Sequence, residues 1–212
     1  MTPDYLRPVL GRDDLNVVQD KWNIQQLVNY ERYCRDNGYF EEMAGCYSSS
    51  SHVRTTWFDG NGKTFARQSA HSGQGGKHKL YNTLVWVKEN RGVAEVSARM
   101  VSKRFKVHDV TVELNSLVRI VYWVQREGNG WRIINITVIY ERDHLVVIDP
   151  DQRLSLDDID VSQFRDSYRW LSYVLALDGQ HSDQDLAGED RPETVNRVFE
   201  ATNNWLEKGL RK

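Results

Sequence analysis

Two side chains in this sequence have the chemistry of an acid–base pair, Asp36 and His78. Asp36 lies near the predicted end of a first helix, and His78 begins a predicted strand after a glycine-rich loop. An imidazole can give or take a proton near neutral pH, and a neighbouring carboxylate would orient and polarise the ring. The structural alternatives are an exposed Asp in the turn that ends the helix and a His that bonds to the backbone where its strand begins.

Other polar side chains could bind a substrate in the same region. Tyr30 and Tyr33 lie on the helix that leads to Asp36, and a hydroxyl held in a pocket can stabilise the charge of a developing enolate. Packing in the core is the alternative role for Tyr30. Only every second residue of a strand faces a pocket, and the register is open from sequence alone. The strand candidates are Asn82, Arg99, Arg119, Tyr122 and Tyr140.

Several kinds of site lack their usual spacing. The six His residues show no paired spacing, and Cys34 and Cys46 form no Cys-x-x-Cys motif, so we expect no metal site. The loop 72–76 lacks the glycine pattern of a nucleotide-binding motif. No serine nucleophile motif is evident. We therefore expect chemistry without a cofactor. Seven Trp, ten Tyr and six Phe suit a ring-lined cavity for an apolar or aromatic ligand, with Trp57 as one wall.

Composition indicates an ordinary globular protein of 212 residues with a formal net charge of −2. That charge argues against nucleic acid as a partner, and the basic run 103–106 is short. Two cysteines are too few for a disulfide framework, so buried thiols in a reducing, cytoplasmic setting are expected. The sequence shows no secretory signal pattern and no apolar run long enough for a membrane span.

Hydrophobic spacing predicts helices before the sheet. Leu15–Asn37 forms the first helix, capped by Asp13 or Asp14 and ended by Gly38. A short second helix follows from Tyr39, and 48–51 is predicted as a polar loop before a strand over His52–Phe58. The segment 63–71 fits either a strand or a helix.

The stretch from His78 to Arg142 contains no proline and predicts an antiparallel sheet. Two of its strands are long enough to require bulges, and both faces of the third are apolar. We expect helices against one face and a second subunit against the other, in a homodimer or higher homo-oligomer. The predicted strands are 78–88, 93–106, 110–126 and 131–142.

Two further helices are predicted after the sheet, over Leu156–Leu177 and from Pro192. We divide the chain into an α+β domain, 1–150, and a C-terminal helical extension, 151–212. The extension packs on the cone, covers the pocket mouth or reaches a partner subunit.

The order of four short pieces over residues 15–142 resembles the SnoaL-like branch of the nuclear transport factor 2-like superfamily. The pieces are Ile24–Leu27, Arg35–Gly38, Lys77-His78 with Asn82, and Gly130–Ile133. The resemblance implies a cone-shaped, curved antiparallel sheet wrapped around the N-terminal helices, with Asp36 facing a pocket. The family usually has a Tyr five residues before this Asp, where this chain has Glu31.

The superfamily contains polyketide cyclases, dehydratases, ketosteroid isomerases and non-catalytic carriers, so the fold does not fix the function. We expect a cofactor-independent lyase or isomerase that acts on an apolar cyclic, polyketide-like or steroid-like substrate. The alternative is a non-catalytic ligand-binding or structural subunit, such as the small subunit of an aromatic-ring dioxygenase.

Overall fold

The computed structural model describes residues 13–71 and 76–207. Helix α1, Leu15–Asn37, has the predicted bounds. The Asp14 side chain accepts hydrogen bonds from the first free N–H groups, and Gly38 ends the helix with φ 81°. A positive φ favours glycine because it has no Cβ to clash, so the stop is encoded locally.

The segment after α1 differs from its prediction. Helix α2, Phe40–Gly45, is confirmed, but strand β1 runs over Tyr47–Arg54 and includes the serines predicted as a loop. Ser48 and Ser51 are buried, and the Ser51 hydroxyl donates to the Ser48 carbonyl at 2.6 Å. Small hydroxyl side chains that bond the backbone locally can thus be buried at low cost. The start of this strand was predicted too late because the serines were assigned to a loop on their polarity alone.

A turn leads from β1 into a short helix. Strand β2, Asp59–Gly60, pairs with the end of β1, and Asn61 caps helix α3, Gly62–Ser69. The segment that fitted either a strand or a helix is therefore helical. Its buried face carries Phe65 and Ala66.

One mixed sheet of eight strands dominates the molecule, in the order β2-β1-β7-β6-β4-β3, with β5 paired to β6 and β8 to β7. The parallel pairs are β1 with β7 and β8 with β7; the other pairs are antiparallel. The remaining strands are β3 Lys77–Lys88, β4 Arg91–Val101, β5 Phe105–Val107, β6 Val110–Glu127, β7 Gly130–Val147 and β8 Ala187–Gly188.

The long strands bend as predicted. The register shifts between Leu80 and Thr83 in β3 and at two places where β7 pairs with β6, opposite Leu117/Val118 and Trp123/Val124. Bulges of this kind increase twist and let the sheet curve round the helices. The predicted strand 93–106 was too long, because 102–104 leaves the sheet. There the Ser102 hydroxyl accepts from the Leu114 N–H and donates to the Lys103 carbonyl.

The inner face of the sheet carries the main core. Side chains of α1, α2 and α3 pack there against alternate residues of the strands, such as Ala94 and Val96 on β4 and Ile120 and Tyr122 on β6. The α+β architecture of a curved sheet over N-terminal helices is therefore as predicted. No helix within residues 13–71 and 76–207 is long and apolar enough to cross a lipid bilayer.

Only the end of the helix predicted over Leu156–Leu177 is helical. A 3₁₀ turn at 166–168 leads into helix α4, Arg169–Leu177. Ser155 and Asp160 accept hydrogen bonds from backbone N–H groups two residues later, which favours turns over a helix. Leu171 and Leu175 of α4 join the main core, so this part of the extension packs inside the cone.

Helix α5, Pro192–Glu207, covers the outer face of the sheet. Its Val195 and Leu206 pack with Val93, Val121 and Ile139, which alternate with the inner residues. The second apolar face of the sheet is thus buried within this chain, and the reason given for a second subunit there was wrong. The oligomeric state itself stays a prediction, and so does the division at residue 150.

Candidate active site

The end of α1 and the start of β3 bring Asp36 and His78 together. The Nδ1 of His78 lies 2.8 Å from Oδ1 of Asp36, and the His78 backbone N–H donates to Oδ2 at 2.5 Å. Both side chains are largely buried, with 10% and 9% of their surfaces exposed. Within the described residues, Nε2 of His78 has no hydrogen-bond partner. The ring is therefore oriented through one nitrogen while the other remains free to exchange a proton.

Two neighbouring contacts hold α1 and β3 together. Lys77 donates hydrogen bonds to the Asp36 carbonyl and to the Asn37 side chain. Gly38 ends α1 next to these contacts, and its N–H donates to the backbone of the last helical turn. Residues 36 and 78 are thus fixed by backbone as well as side-chain contacts.

The surroundings favour a neutral imidazole. Burial and the guanidinium groups of Arg35 and Arg32 lower the pKa of His78 to about 4, against the opposing effect of Asp36. Burial acts to raise the pKa of Asp36, but the hydrogen bonds and charge of His78 outweigh it and leave that pKa below its usual value. At neutral pH the pair is therefore a carboxylate and an uncharged ring. In a neutral ring whose Nδ1–H donates to Asp36, Nε2 is unprotonated and its lone pair can accept a proton.

His78 forms part of the wall of a cavity inside the cone, whereas Asp36 lies behind it and does not line the cavity. About 90 Å³ of this cavity is accessible to the centre of a water molecule. Its wall comes from α1, α3, α4, the segment between β1 and β2, and the inner face of the sheet. The lining residues are Arg32, Arg35, Thr55, Thr56, Trp57, Phe65, His78, Met100, Ser116, Val118, Ile120, Ile136, Val138, Tyr140 and Leu171.

Three polar atoms in this wall are buried without a hydrogen-bond partner in the described part of the chain: Arg35 Nε, Thr55 Oγ1 and Ser116 Oγ. Buried polar atoms are normally paired, because leaving one unpaired costs about 1–3 kcal/mol. Three of them in one wall indicate a place for a ligand or water. None of the three was predicted from the sequence, and only the strand register could have indicated Ser116.

A buried carboxylate holds Arg32 at the cavity. Glu31 is fully buried, forms a two-point ion pair with Arg32 and accepts the Tyr47 hydroxyl at 2.6 Å. The Tyr122 hydroxyl reaches the other oxygen at 3.4 Å. This chain thus has a charged network at the position where the resembling family has a Tyr. Two tyrosines from β1 and β6 donate their hydroxyls to it.

The predicted substrate-binding residues divide into two groups. Trp57 and Tyr140 line the cavity, and the Tyr140 hydroxyl accepts the Thr56 backbone N–H at 3.1 Å. Trp57 packs against Phe65 with ring centroids 5.3 Å apart. Two of the predicted substrate-binding residues thus lie in the wall of the cavity, and their role in binding stays a prediction.

The other predicted residues lie elsewhere. Tyr30 and Tyr33 are about half exposed, and neither lines this cavity or packs in the core. Tyr33 lines a more open pocket on the other side of Asp36 and His78. Asn82 is exposed at the bulge of β3, where the register shift turns it outward. Arg119 lies on the outer face, paired with Glu95, Glu141 and Glu189. The exposed Arg99 also lies outside the cavity.

Comparison with known proteins supports the architecture. No protein-family model matches the sequence. A candidate scytalone dehydratase from Novosphingobium aromaticivorans is 15% identical, with 66% of this chain covering 97% of that one at a TM-score of 0.50. A hexachlorocyclohexane dehydrochlorinase (LinA) Type2 is 10% identical, with 68% covering 99% at 0.52. The chain shares the fold of these two proteins, a curved sheet wrapped round N-terminal helices.

A likeness over most of the chain is found to a PEP2-like protein from Fusarium vanettenii. It is 20% identical over 207 residues, which cover 90% of this chain and 87% of that protein. Residues after 150 make up more than a tenth of the chain, so this likeness includes part of the C-terminal extension. The two solved structures leave about a third of the chain uncovered.

Proposed function

We propose that this protein is a cofactor-independent lyase or isomerase of the dehydratase type, with His78 as the proton-transferring group and Asp36 as the residue that positions it. The observation that carries the proposal is the arrangement of His78: Nδ1 is hydrogen-bonded to a buried carboxylate, and the ring lines the cavity inside the cone. A fixed ring that is neutral at pH 7 can act first as a base.

In the proposed reaction, Nε2 of His78 takes a proton from a carbon next to a carbonyl group. The electrons of that C–H bond form an enolate, and Asp36 stabilises the imidazolium that results. The imidazolium then gives the proton to a leaving hydroxyl, which departs as water while a C=C bond forms. Return of the proton to another carbon would instead shift a double bond. The hydroxyls of Thr55 and Ser116 are the wall groups placed to donate to the carbonyl oxygen.

The volume of the cavity limits the size of the substrate. A dry protein cavity of about 150 Å³ holds one benzene molecule, and the cavity here is about 90 Å³. A compact acyclic or one-ring substrate therefore fits better than the polycyclic ligand that the sequence suggested. The apolar part of the wall, which includes Trp57 and Ile136, would hold its hydrocarbon part.

The test measures proton abstraction directly, because the full substrate need not be known. Small hydroxyketones and cyclic ketones are incubated in D₂O, and deuterium exchange at the carbon next to the carbonyl is followed by NMR. We expect His78→Gln to lower the enzymatic exchange rate about 10²-fold or more, as for loss of a general base. Asp36→Asn should slow it without unfolding the chain.

A second His–Asp pair offers a matched control. His52 Nε2 lies 2.7 Å from Asp59, but both side chains are more than half exposed. His52→Gln should leave exchange unchanged. Undiminished exchange in His78→Gln, or no exchange by the wild-type protein across the panel, would count against the proposal.

A further inference from the structure

We infer that the cavity binds substrates that carry a carboxylate group, and that Arg35 is the residue that anchors this group. The inference rests on the proposed function, since it names the substrate class of the same cavity. It concerns binding, so it can be tested apart from turnover.

Arg35 is a cation without an adequate partner. Its guanidinium lines the cavity, with 15% of its side chain exposed, and makes no hydrogen bond to any residue of the described ranges. Its Nε is fully buried and unpaired. Burial and the neighbouring Arg32 lower the pKa of Arg35 to about 10, so it is still charged at neutral pH. A buried charge normally has hydrogen bonds to an opposite charge.

The carboxylates nearest to Arg35 are already engaged. Both oxygens of Glu31 are bonded to Arg32, and Tyr47 and Tyr122 also donate to them. Both oxygens of Asp36 accept hydrogen bonds from His78. The contact between Arg35 and Asp36 is 3.8 Å long, which is beyond hydrogen-bond distance.

The planar guanidinium matches a carboxylate, because two N–H groups can donate in parallel to its two oxygens. Ser116 and Thr55, whose hydroxyls are unpaired in the same wall, can donate to an oxygen of the ligand as well. A neutral carbonyl would leave the charge of Arg35 uncompensated. A carboxylate would satisfy the charge and its N–H groups together.

The arrangement separates binding from chemistry. Arg35 of α1 and His78 of β3 both line this cavity. An acid whose carboxylate is bound by Arg35 would therefore present its remaining carbons to the His78 ring. Phe65 lies against both arginines, with Cζ of Arg35 6.0 Å from its ring centroid. The Phe65 ring limits the room around the anchor and favours a compact acid.

The test uses three carboxylic acids of increasing size, acetate, 2-butenoate and benzoate, each beside its neutral amide. Binding to the full chain is measured by calorimetry and by the shift in melting temperature. We expect at least one acid to bind at least tenfold more tightly than its amide. Arg35→Gln should abolish that preference, whereas Arg99→Gln, which removes a charge from an exposed strand position, should change the affinity less than twofold.

Equal binding of acid and amide, binding of no acid, or an unchanged preference in a folded Arg35→Gln would overturn the inference. If Arg35→Gln does not fold, the affinities of the acid and its amide for the wild-type protein still test the inference. His78→Gln should keep the preference. Acid binding without His78-dependent exchange would therefore contradict only the proposed reaction, and exchange of neutral ketones without acid binding would contradict only this inference.

Discussion

The carboxylate of Asp36 accepts hydrogen bonds from two parts of one residue, the ring and the backbone N–H of His78, at 2.8 and 2.5 Å. The ring contact defines which nitrogen of His78 carries the proton in the neutral form. The backbone contact fixes the start of β3 against the end of α1. One carboxylate thus sets both the orientation and the protonation of the ring that lines the cavity.

The titration of His78 tests this electrostatic description. We expect an NMR titration to give a pKa near 4, because burial and two guanidinium groups disfavour the charged ring. Arg35→Gln should raise that pKa, since it removes a repelling charge. Asp36→Asn should lower it, since it removes an attracting one. A pKa of about 6.5 in the wild-type protein, or shifts of the opposite sign, would contradict the geometry; His78→Gln identifies the signal.

The pH dependence of stability follows from the same group. The unfolded chain binds a proton at His78 near pH 6.5 and the folded chain near pH 4. His78 therefore contributes stability that is present above pH 6.5 and lost as the pH falls through about 4. From pH 8 to pH 5 this loss is about 2 kcal/mol. Urea unfolding of His78→Gln should lack that part of the pH dependence.

Asp143 has the opposite effect on the pH dependence of stability, and its contribution must be separated from that of His78. Burial raises its pKa to about 6, so its contribution is present below its ordinary pKa and lost as the pH rises through about 6. The difference in unfolding free energy between wild type and His78→Gln at each pH cancels the contribution of Asp143, because both proteins carry it. Parallel pH profiles for the two proteins would show that His78 titrates normally.

Much of the fold could be predicted because local signals agreed with the tertiary contacts. Asp14 and Gly38 bound α1, and alternating residues define the sheet. The predictions for two segments were wrong because long-range contacts or local side-chain hydrogen bonds determine the structure there. Ser48 and Ser51 are polar yet buried in β1, and Ser155 favours a turn where spacing alone suggested a helix.

The site was predictable only in part. Asp36 and His78 have distinctive chemistry, and their order along the chain matched a known pattern. Arg35 and Ser116 gave no sequence signal, since a charged or hydroxyl side chain is usually exposed. Tyr30 was misplaced because neighbouring helix positions point about 100° apart, so proximity in sequence to Asp36 does not imply the same face.

The buried Glu31 network should be essential to stability. Glu31→Gln leaves Arg32 as a buried cation without its counter-charge, and breaking such a pair costs about 3–5 kcal/mol. Glu207→Gln is the control, because Glu207 pairs with Lys88 in an exposed ion pair. Exposed pairs contribute about 1 kcal/mol or less. Chemical denaturation of both variants measures the difference; equal effects would contradict the assigned role of Glu31.

Gly62 is needed for close packing against the same network. A Cβ at this position would lie 2.2 Å from the ring of Tyr47, which donates its hydroxyl to Glu31. Gly62→Ala should therefore destabilise the chain by about 1–3 kcal/mol, as overpacking does. Gly45→Ala is the matched control in α2, since a Cβ there would meet nothing within 4 Å beyond its chain neighbours and the backbone of its own helix. A melting temperature equally unaffected in both variants would show that Tyr47 moves freely.

The outer face of the sheet gives the last prediction, which concerns self-association. Leu206 of α5 is 6% exposed and packs on Val93, Val121 and Ile139. Leu206→Asp places a charge in this contact and should cost about 3 kcal/mol or more, because burying an unpaired charge is highly unfavourable. Displacement of α5 would expose the apolar face, so light scattering should show larger assemblies. Asn204→Asp adds the same charge at an exposed position of α5 and should keep the wild-type mass and stability. If Leu206→Asp matched that control, α5 would not be the element that covers the sheet.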